Sequence, residues 1–543
     1  MIHILRRFIH SIEQQPFSLS LWSVAFLSLI IIRIGIESSL GFFGPRTLTF
    51  LFFEFSHTFL FFLIAFLLFI PIMRFSGARS LASAAHLLLF GFLIILTPPL
   101  IDTAIFQGKS FWSFYEFDGL RGLLMRFFTL FGDTPDIGIT YGVRIEVVLV
   151  TCGVVCYSLL NHQKLRRAFA SGLIAYTTLF ILGTFPSYLT LLLDGFSRGF
   201  FTIQATDVAA IFLTPADLFS RSAPDIRSAL NMKMSLWYAS LSVILLSGFL
   251  FLSFRPFFHA LQKNMRFPQI IYHGGLLFLG ALLSWHFTQP ILIFDHFHLL
   301  AFFLLLVAVE CAWIASVIIN DYFDITIDTH TNTNRPLIAK TIPPHIYITF
   351  GWLFFGTSIF LAAQVSFTAS LLLILYQALA WIYSVPPFRL KRIPGLATLI
   401  ASLAGIIILL IGFVVIAPTN SFAELPFSLL IFLLIAYSVA LPLKDFKDIK
   451  GDLADHVYTL PVVFGEERFR TILSSIFFIL FIASVFVLHM RAAFFPALLF
   501  GGASFFLIQS ARDQHTWCNY RNLPVLMLGI IASYGLVLLW LIV

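Results

Sequence analysis

The chain has 543 residues, of which 59% are hydrophobic and only 11% charged, including 67 Phe, and its mean hydropathy is +0.96. These values exclude an ordinary soluble globular protein and place the chain in a bilayer as an all-α, polytopic helical membrane protein. The net charge of +7 fits a Lys/Arg excess in cytoplasmic loops and does not call for a nucleic-acid partner. The four cysteines, Cys152, Cys156, Cys311 and Cys518, show no zinc-type pairing. Cys152 and Cys156 lie one helical turn apart and read as helix packing.

In chain order, the first apolar run, about 17–40, is too long for a cleavable signal. Further spans are expected near 48–73, 80–101, 143–161, 168–190 and 235–254. The basic stretch from Arg255 to Arg266 then reads as a cytoplasmic connector. A second set follows near 270–288, 299–320, 345–364, 368–385, 395–417, 425–442, 470–489, 492–510 and 523–543. The expected organisation is an N-terminal membrane domain over 1–254, a linker over 255–267 and a second domain over 268–543. Arg6, Arg7, Arg74, Arg79, Lys164, Arg166 and Arg167 alternate with loops poor in Lys and Arg. In the second half Arg335, Lys340, Arg389, Lys391, Arg392, Lys444, Lys447, Lys450, Arg468, Arg470, Arg512 and Arg521 do the same. The basic side is read as cytoplasmic, and the chain as an integral protein of the cell (inner) membrane. This requires that 191–234, with Asp194, Asp207, Asp217 and Asp225, makes no net crossing. The other long outer segment, near 102–142, contains Leu120–Phe128, which reads as an interfacial helix.

The N-terminal half carries polar groups inside its spans. Arg33 and Glu37 are four apart and are expected to pair. Glu54, His57 and His86 lie within spans, and Asp102 and Glu146 at their outer ends. A polar path between helices would use such residues, and so would a bundle that merely buries a few pairs.

The second half carries two matched acidic stretches at the ends of apolar runs. The first is Asn320-Asp321-Tyr322-Phe323-Asp324-Ile325-Thr326-Ile327-Asp328. The second is Lys444-Asp445-Phe446-Lys447-Asp448-Ile449-Lys450-Gly451-Asp452, with Asp455 beyond. Asn320, Asp324 and Asp328 are four apart and line one face of a helix; Asp448 and Asp452 repeat that spacing. Carboxylates stacked in this way repel each other unless a cation offsets them. Oxygen-only donors favour Mg2+, which usually binds through one or two carboxylates plus substrate phosphates. An acidic cluster at a helix end is usually a solvated cap. Two matched clusters on one side, with Arg389, Lys391 and Arg392 between them, point instead to a site.

These residues resemble the UbiA-type intramembrane prenyltransferases over about 268–543. The resemblance rests on the two acidic motifs, on Asn334-Arg335-Pro336-Leu337, on Tyr383-Ser384-Val385-Pro386-Pro387-Phe388-Arg389-Leu390-Lys391-Arg392, and on Thr459-Leu460-Pro461-Val462 with Gly465. It implies a nine-helix bundle that moves a prenyl group from a polyprenyl diphosphate to a lipid, quinone-precursor or other small acceptor. It implies two Mg2+ ions bridging the donor diphosphate, with Asn320, Asp324 and Asp328 as one ligand set and Asp448 and Asp452 as the other. Asp324, Asp328, Asp448 and Asp452 are thereby the implied catalytic acids. Asp321, Arg335, Tyr383, Arg389, Lys391, Lys444 and Asp445 are the implied substrate-binding residues. Two positions depart from the family pattern: Lys340 and His456 stand where Gly is common.

A reading from another class remains open: a transporter or lipid-handling protein whose acidic sites bind cations or phosphate headgroups without chemistry. Diphosphate release on addition of a prenyl diphosphate separates the two. A scaffold with a degenerate catalytic half is disfavoured, because every implied ligand is present in the sequence.

Overall fold

The computed structural model describes all residues except 1, 16–17, 41–46, 106–114, 133–137, 163, 220, 266, 292–293, 326–327, 330–334, 394, 450–458, 513–517 and 543. Among the described residues, fourteen helices are long and apolar enough to cross a membrane. Six of them lie before residue 255, and eight lie between Gln269 and Ser510. A further apolar stretch, Leu523–Leu538, is shorter and belongs to the helix Leu523–Ile542. The protein is therefore an all-α polytopic membrane protein. Among the described residues, a small sheet pairs Ala216–Leu218 with Arg221–Ala223 in antiparallel register.

The chain forms two compact units. One comprises Met1–His259 with Phe294–Leu304, and the other Ala260–Ile293 with Leu305–Val543. The stretch from Arg255 is not a loop but the helix Arg255–Met265, for it contains no breaker after Pro256, and Pro is tolerated in a first helical turn.

In the first unit, the helix Ile226–Ser253 packs along Leu48–Ser76. It begins more than two turns before the apolar run expected near 235, because Asp225 caps it by accepting the Ser228 N–H at 2.9 Å. The polar first turns are buried and satisfied. The Lys233 ammonium, for example, donates to the carbonyls of Ile211 (2.6 Å) and Thr214 (3.1 Å). The run expected near 168–190 divides into Leu165–Gly183 and Phe185–Arg198. Pro186 removes a backbone donor there and sits in the first turn of the new helix. Phe185–Arg198 and Ala205–Phe212 are both short of the 18 residues of the spanning helices. Leu120–Phe128 is helical, as expected.

In the second unit, Leu396–Ile416 is the most buried of the candidate spans. It crosses Phe267–Thr288 at two glycines. A Cβ on Gly280 would strike the Leu409 carbonyl, and one on Gly412 would strike the Leu277 carbonyl. Small residues at a helix crossing let the backbones approach and replace a hydrophobic driving force that lipid does not supply. Tyr272 and Tyr437 stack nearby at 5.5 Å.

Candidate active site

The helix His296–Phe323 ends in the first acidic motif. Its pitch continues past the end of the regular helix. The Asp324 N–H donates to the Asn320 carbonyl at 3.0 Å, and the Asp328 N–H to the Asp324 carbonyl at 2.8 Å. Asn320, Asp324 and Asp328 therefore stand on one face, as their spacing requires. Asp321 is turned elsewhere. It is buried, ion-paired with Arg335, and accepts the Tyr347 hydroxyl at 2.9 Å. Arg335 also reaches Asp328, Nε to Oδ2, at 3.4 Å. One guanidinium thus ties the two ends of the motif together.

The basic loop comes to this face from the end of Phe367–Ser384. Arg389 has left-handed backbone, φ 43°, and leads into the 3-10 turn Leu390–Arg392. Residues without glycine's freedom seldom adopt this conformation, and where they do the surroundings must hold them. Arg389 is held by its Nη2, which donates to Asp324 Oδ1 at 2.6 Å and to the Phe323 carbonyl at 3.3 Å. The Lys391 ammonium bridges Asn320 Oδ1, at 2.8 Å, and Asp324 Oδ2. Burial pushes the Lys391 pKa down, and the hydrogen bond and charge of Asp324 oppose that shift. Arg392 is exposed, so the three basic residues of the loop separate into two that face the acids and one that faces outward. Ser384 donates to Asn320 Oδ1 at 3.0 Å. The oxygens of Asn320 and Asp324 already converge on one cation, which is the donor chemistry a hard metal ion takes.

The second motif follows Phe427–Ala440 as the 3-10 helix Leu441–Asp448. Pro442 lacks the N–H that would continue the α-helical ladder. At three residues per turn, positions 445 and 448 fall one turn apart. Phe446 anchors the segment by stacking on Tyr520 at 5.3 Å. Lys444 is exposed and Asp445 half-buried. The charges of Asp445 and Asp324 both act on the Tyr383 hydroxyl, so one residue of each motif lies within electrostatic reach of this tyrosine. The Asp448 side chain, together with Lys450, Asp452, Asp455 and His456, lies outside the described residues, as does Asn334. Among the described residues, no three His, Cys, Asp or Glu side chains are grouped to hold a metal ion.

Lys340 also has left-handed backbone, φ 52°. This gives a conformational reason for the glycine common at that position in the resembled family.

Several residues of the site carry no signal in the sequence. Tyr347 lies 26 positions from Asp321, on a helix whose sequence, Pro344–Val365, is otherwise an apolar span. Inside the bundle, His273 Nδ1 meets Glu310 Oε1 at 3.2 Å, both buried. Each lies within a mostly apolar run, and their pairing becomes visible only in three dimensions. Arg470, grouped by sequence with the basic loops, is buried. It donates to the Ala511 carbonyl at 3.0 Å and the Tyr520 hydroxyl at 3.1 Å. Tyr347→Phe removes one hydrogen bond to a buried carboxylate and is expected to cost about 1.5–3 kcal/mol. Thermal unfolding of the detergent-solubilised protein checks this. An unchanged melting temperature would show that Arg335 alone satisfies Asp321.

Residues 275–523 match the sequence profile of the UbiA prenyltransferase family. The chain is 32% identical over 164 residues to a digeranylgeranylglyceryl phosphate synthase of Thermococcus sibiricus, covering 30% of this chain and 55% of that protein. It is 27% identical over 231 residues to the protein of the same name from Pyrococcus abyssi, covering 42% and 76%. The chain thus spans about half the length of the Thermococcus relative. Among solved structures, a UbiA homolog from Archaeoglobus fulgidus bound to GPP and Mg2+ aligns with a TM-score of 0.40 and 20% identity, over 52% of this chain and 96% of that one. The apo structure of a UbiA homolog from Aeropyrum pernix K1 aligns with a TM-score of 0.39 and 18% identity, over 50% and 98%.

Proposed function

Residues 275–523 belong to the UbiA prenyltransferase family, and on that premise we propose that this chain moves a prenyl group from a polyprenyl diphosphate to a lipid or other small acceptor. The observation that carries the reading is the convergence of Asn320, Asp324, Arg389 and Lys391 on one face at the end of a membrane-spanning helix. A diphosphate leaves readily only when its charge is offset. Mg2+ bound by Asn320, Asp324 and Asp328 on one side and Asp448 and Asp452 on the other would offset that charge. Arg389 and Lys391, which neutralise Asp324, would bind the diphosphate oxygens beside it. Arg335 holds Asp321 and Asp328 in register, and Tyr383, with Lys444 and Asp445 of the second motif, would complete the polar side of the donor site. The apolar bundle below would keep water from the allylic cation formed as the diphosphate departs.

The relatives named digeranylgeranylglyceryl phosphate synthase make a glyceryl phosphate lipid the first acceptor to test. Mass spectrometry of lipids from membranes expressing the chain decides this. A new lipid heavier by one prenyl unit supports the reading, and its absence with both donor and acceptor supplied counts against it.

The alternation of Lys and Arg supports placing both acidic motifs on the cytoplasmic side of the cell (inner) membrane. A Cys at position 450 is expected to react only with reagent admitted to the cytoplasm, and one at Thr419, which is exposed, only from outside. The reverse pattern would invert the topology.

The N-terminal half, proposed as a separate domain over about 1–254, is not needed to supply any of the implied metal ligands.

A further inference from the structure

The six spans before residue 255 have an interior site of their own, within the first unit. They enclose a cavity of about 610 Å3, a size typical of small-molecule sites. Its wall is largely apolar, with aliphatic side chains such as Ile95, Val147 and Val150 interleaved with Phe61, Phe62 and Phe92. Set into that wall are two guanidiniums, those of Arg33 and Arg227, and four carboxyl groups, those of Glu37, Glu54, Asp102 and Glu146. Ionisable side chains inside a membrane bundle are costly to bury and by default mark a functional site.

Both guanidiniums are committed. Arg227 grips Glu54 with two bonds, Nε to Oε2 and Nη2 to Oε1, each 2.9 Å. The Asn231 amide donates to the same Oε2 at 2.8 Å. Arg33 pairs with Glu37 at 2.7 Å and also donates to the Ile95 carbonyl. His57 is hydrogen-bonded through Nε2 to the Tyr115 hydroxyl at 2.6 Å, and Tyr115 accepts from Tyr238 at 2.7 Å. The acceptors are not all used in this way. Asp102 receives the Gly142 N–H at 2.7 Å. Glu146 makes no hydrogen bond or ion pair among the described residues and feels Arg33 and Glu37 only through space. Among the described residues, the cavity therefore offers an acceptor, a surplus of carboxyl groups, and no uncommitted guanidinium.

We propose that this cavity is a second ligand site, for a membrane amphipath whose chain lies along the apolar wall and whose head donates hydrogen bonds to Glu146. The head is a hydroxyl or an amine. A phosphate is excluded, because it would meet four carboxyl groups and find both guanidiniums already paired. The site is distinct from the acidic motifs of the second half and does not depend on prenyl transfer.

The test is photolabelling of the full-length protein in nanodiscs with three diazirine-bearing probes that share one 20-carbon prenyl chain: the alcohol, the amine and the monophosphate. Labelled peptides are located by mass spectrometry. The alcohol or the amine is expected to label peptides within 54–73 or 143–157, with competition by the untagged compound. The monophosphate is expected to label them at least ~10-fold less, the ratio set by about 1.4 kcal/mol of discrimination. Glu146→Leu is expected to lower labelling by the preferred probe about tenfold. Val150→Trp, which narrows the same cavity from an apolar position, should lower it for all probes. Glu146→Gln separates the two heads: it retains an acceptor for the alcohol and removes the charge that favours the amine. Equal labelling by the monophosphate overturns the head assignment. No labelling of these peptides by any probe overturns the site. So does labelling unchanged in both Glu146→Leu and Val150→Trp, each verified as folded by its melting curve.

Discussion

Asp324→Asn is expected to lower metal-dependent diphosphate release by about 10²–10³-fold, the loss that follows removal of one preorganised electrostatic group. Asp324 is where the proposed site is most concentrated. Its two carboxylate oxygens face Arg389 and Lys391 separately, and its backbone continues the pitch that aligns Asn320 with Asp328. Asparagine keeps the shape and removes the charge. Asp324→Ala is expected to do more. It leaves two half-buried cations facing each other without a counter-charge, a change that costs about 3–5 kcal/mol when one partner of a buried pair is removed. The Asn variant therefore isolates the chemistry, and the Ala variant adds a stability loss visible in the melting curve. Asp448→Ala is expected to abolish release in the same assay while the protein stays in the membrane. Near-normal turnover in Asp324→Asn would remove Asp324 from the metal site.

Gly412→Leu is expected to destabilise the second half by about 3 kcal/mol, the upper end of the usual cost of overpacking. The clash is with backbone and not with a side chain that can swing away. A Cβ at 412 meets the Leu277 carbonyl, and one at Gly280 meets the Leu409 carbonyl. The two helices must separate along their whole crossing, and Leu396–Ile416 is the most enclosed span of the chain. Gly502 is the control. It lies in the helix Phe494–Ser510 with nothing within 4 Å of a built Cβ, so Gly502→Ala is expected to stabilise by about 0.5–1 kcal/mol. Thermal unfolding of the two variants side by side reads the contrast. Equal melting temperatures would show that the crossing tolerates separation.

Much of the fold was legible in the sequence because a bilayer leaves few options. Apolar runs of about twenty residues become helices, and the expected positions of the spans agree with the observed ones to within a turn or two in most cases. The differences have local causes. Polar residues at Ser228, Asn231 and Lys233 hid the first turns of Ile226–Ser253, since hydropathy cannot see that tertiary hydrogen bonds satisfy them. Pro186 divided one expected span into two helices. The boundary between the halves was less legible. Phe294–Leu304 groups with the first unit, where Phe297 packs on Phe212 at 6.0 Å and His298 on Phe219 at 4.8 Å. Nothing in the helix start His296-Phe297-His298 names such a partner.

The acidic face of the site was legible because a four-residue spacing is a statement about helix geometry, and the 3.0 Å and 2.8 Å backbone bonds follow it. The basic loop was legible as a group but not residue by residue. Arg389 and Lys391 turn to the acids while Arg392 does not, and the left-handed backbone at Arg389 makes that division. Tyr347, Ser384 and the His273–Glu310 pair were not legible, for each depends on which helices are neighbours.

The most direct test of the central claim is diphosphate release by the purified full-length protein given geranylgeranyl diphosphate and an acceptor such as a glyceryl phosphate lipid, with Mg2+ and then with the metal chelated. Prenyl transfer predicts release with Mg2+, its loss on chelation, and an acceptor heavier by one prenyl group. Donor that binds to the folded protein in the presence of Mg2+ but is recovered intact, with no diphosphate released, would contradict the enzyme reading and favour a protein that binds or carries prenyl phosphates without chemistry.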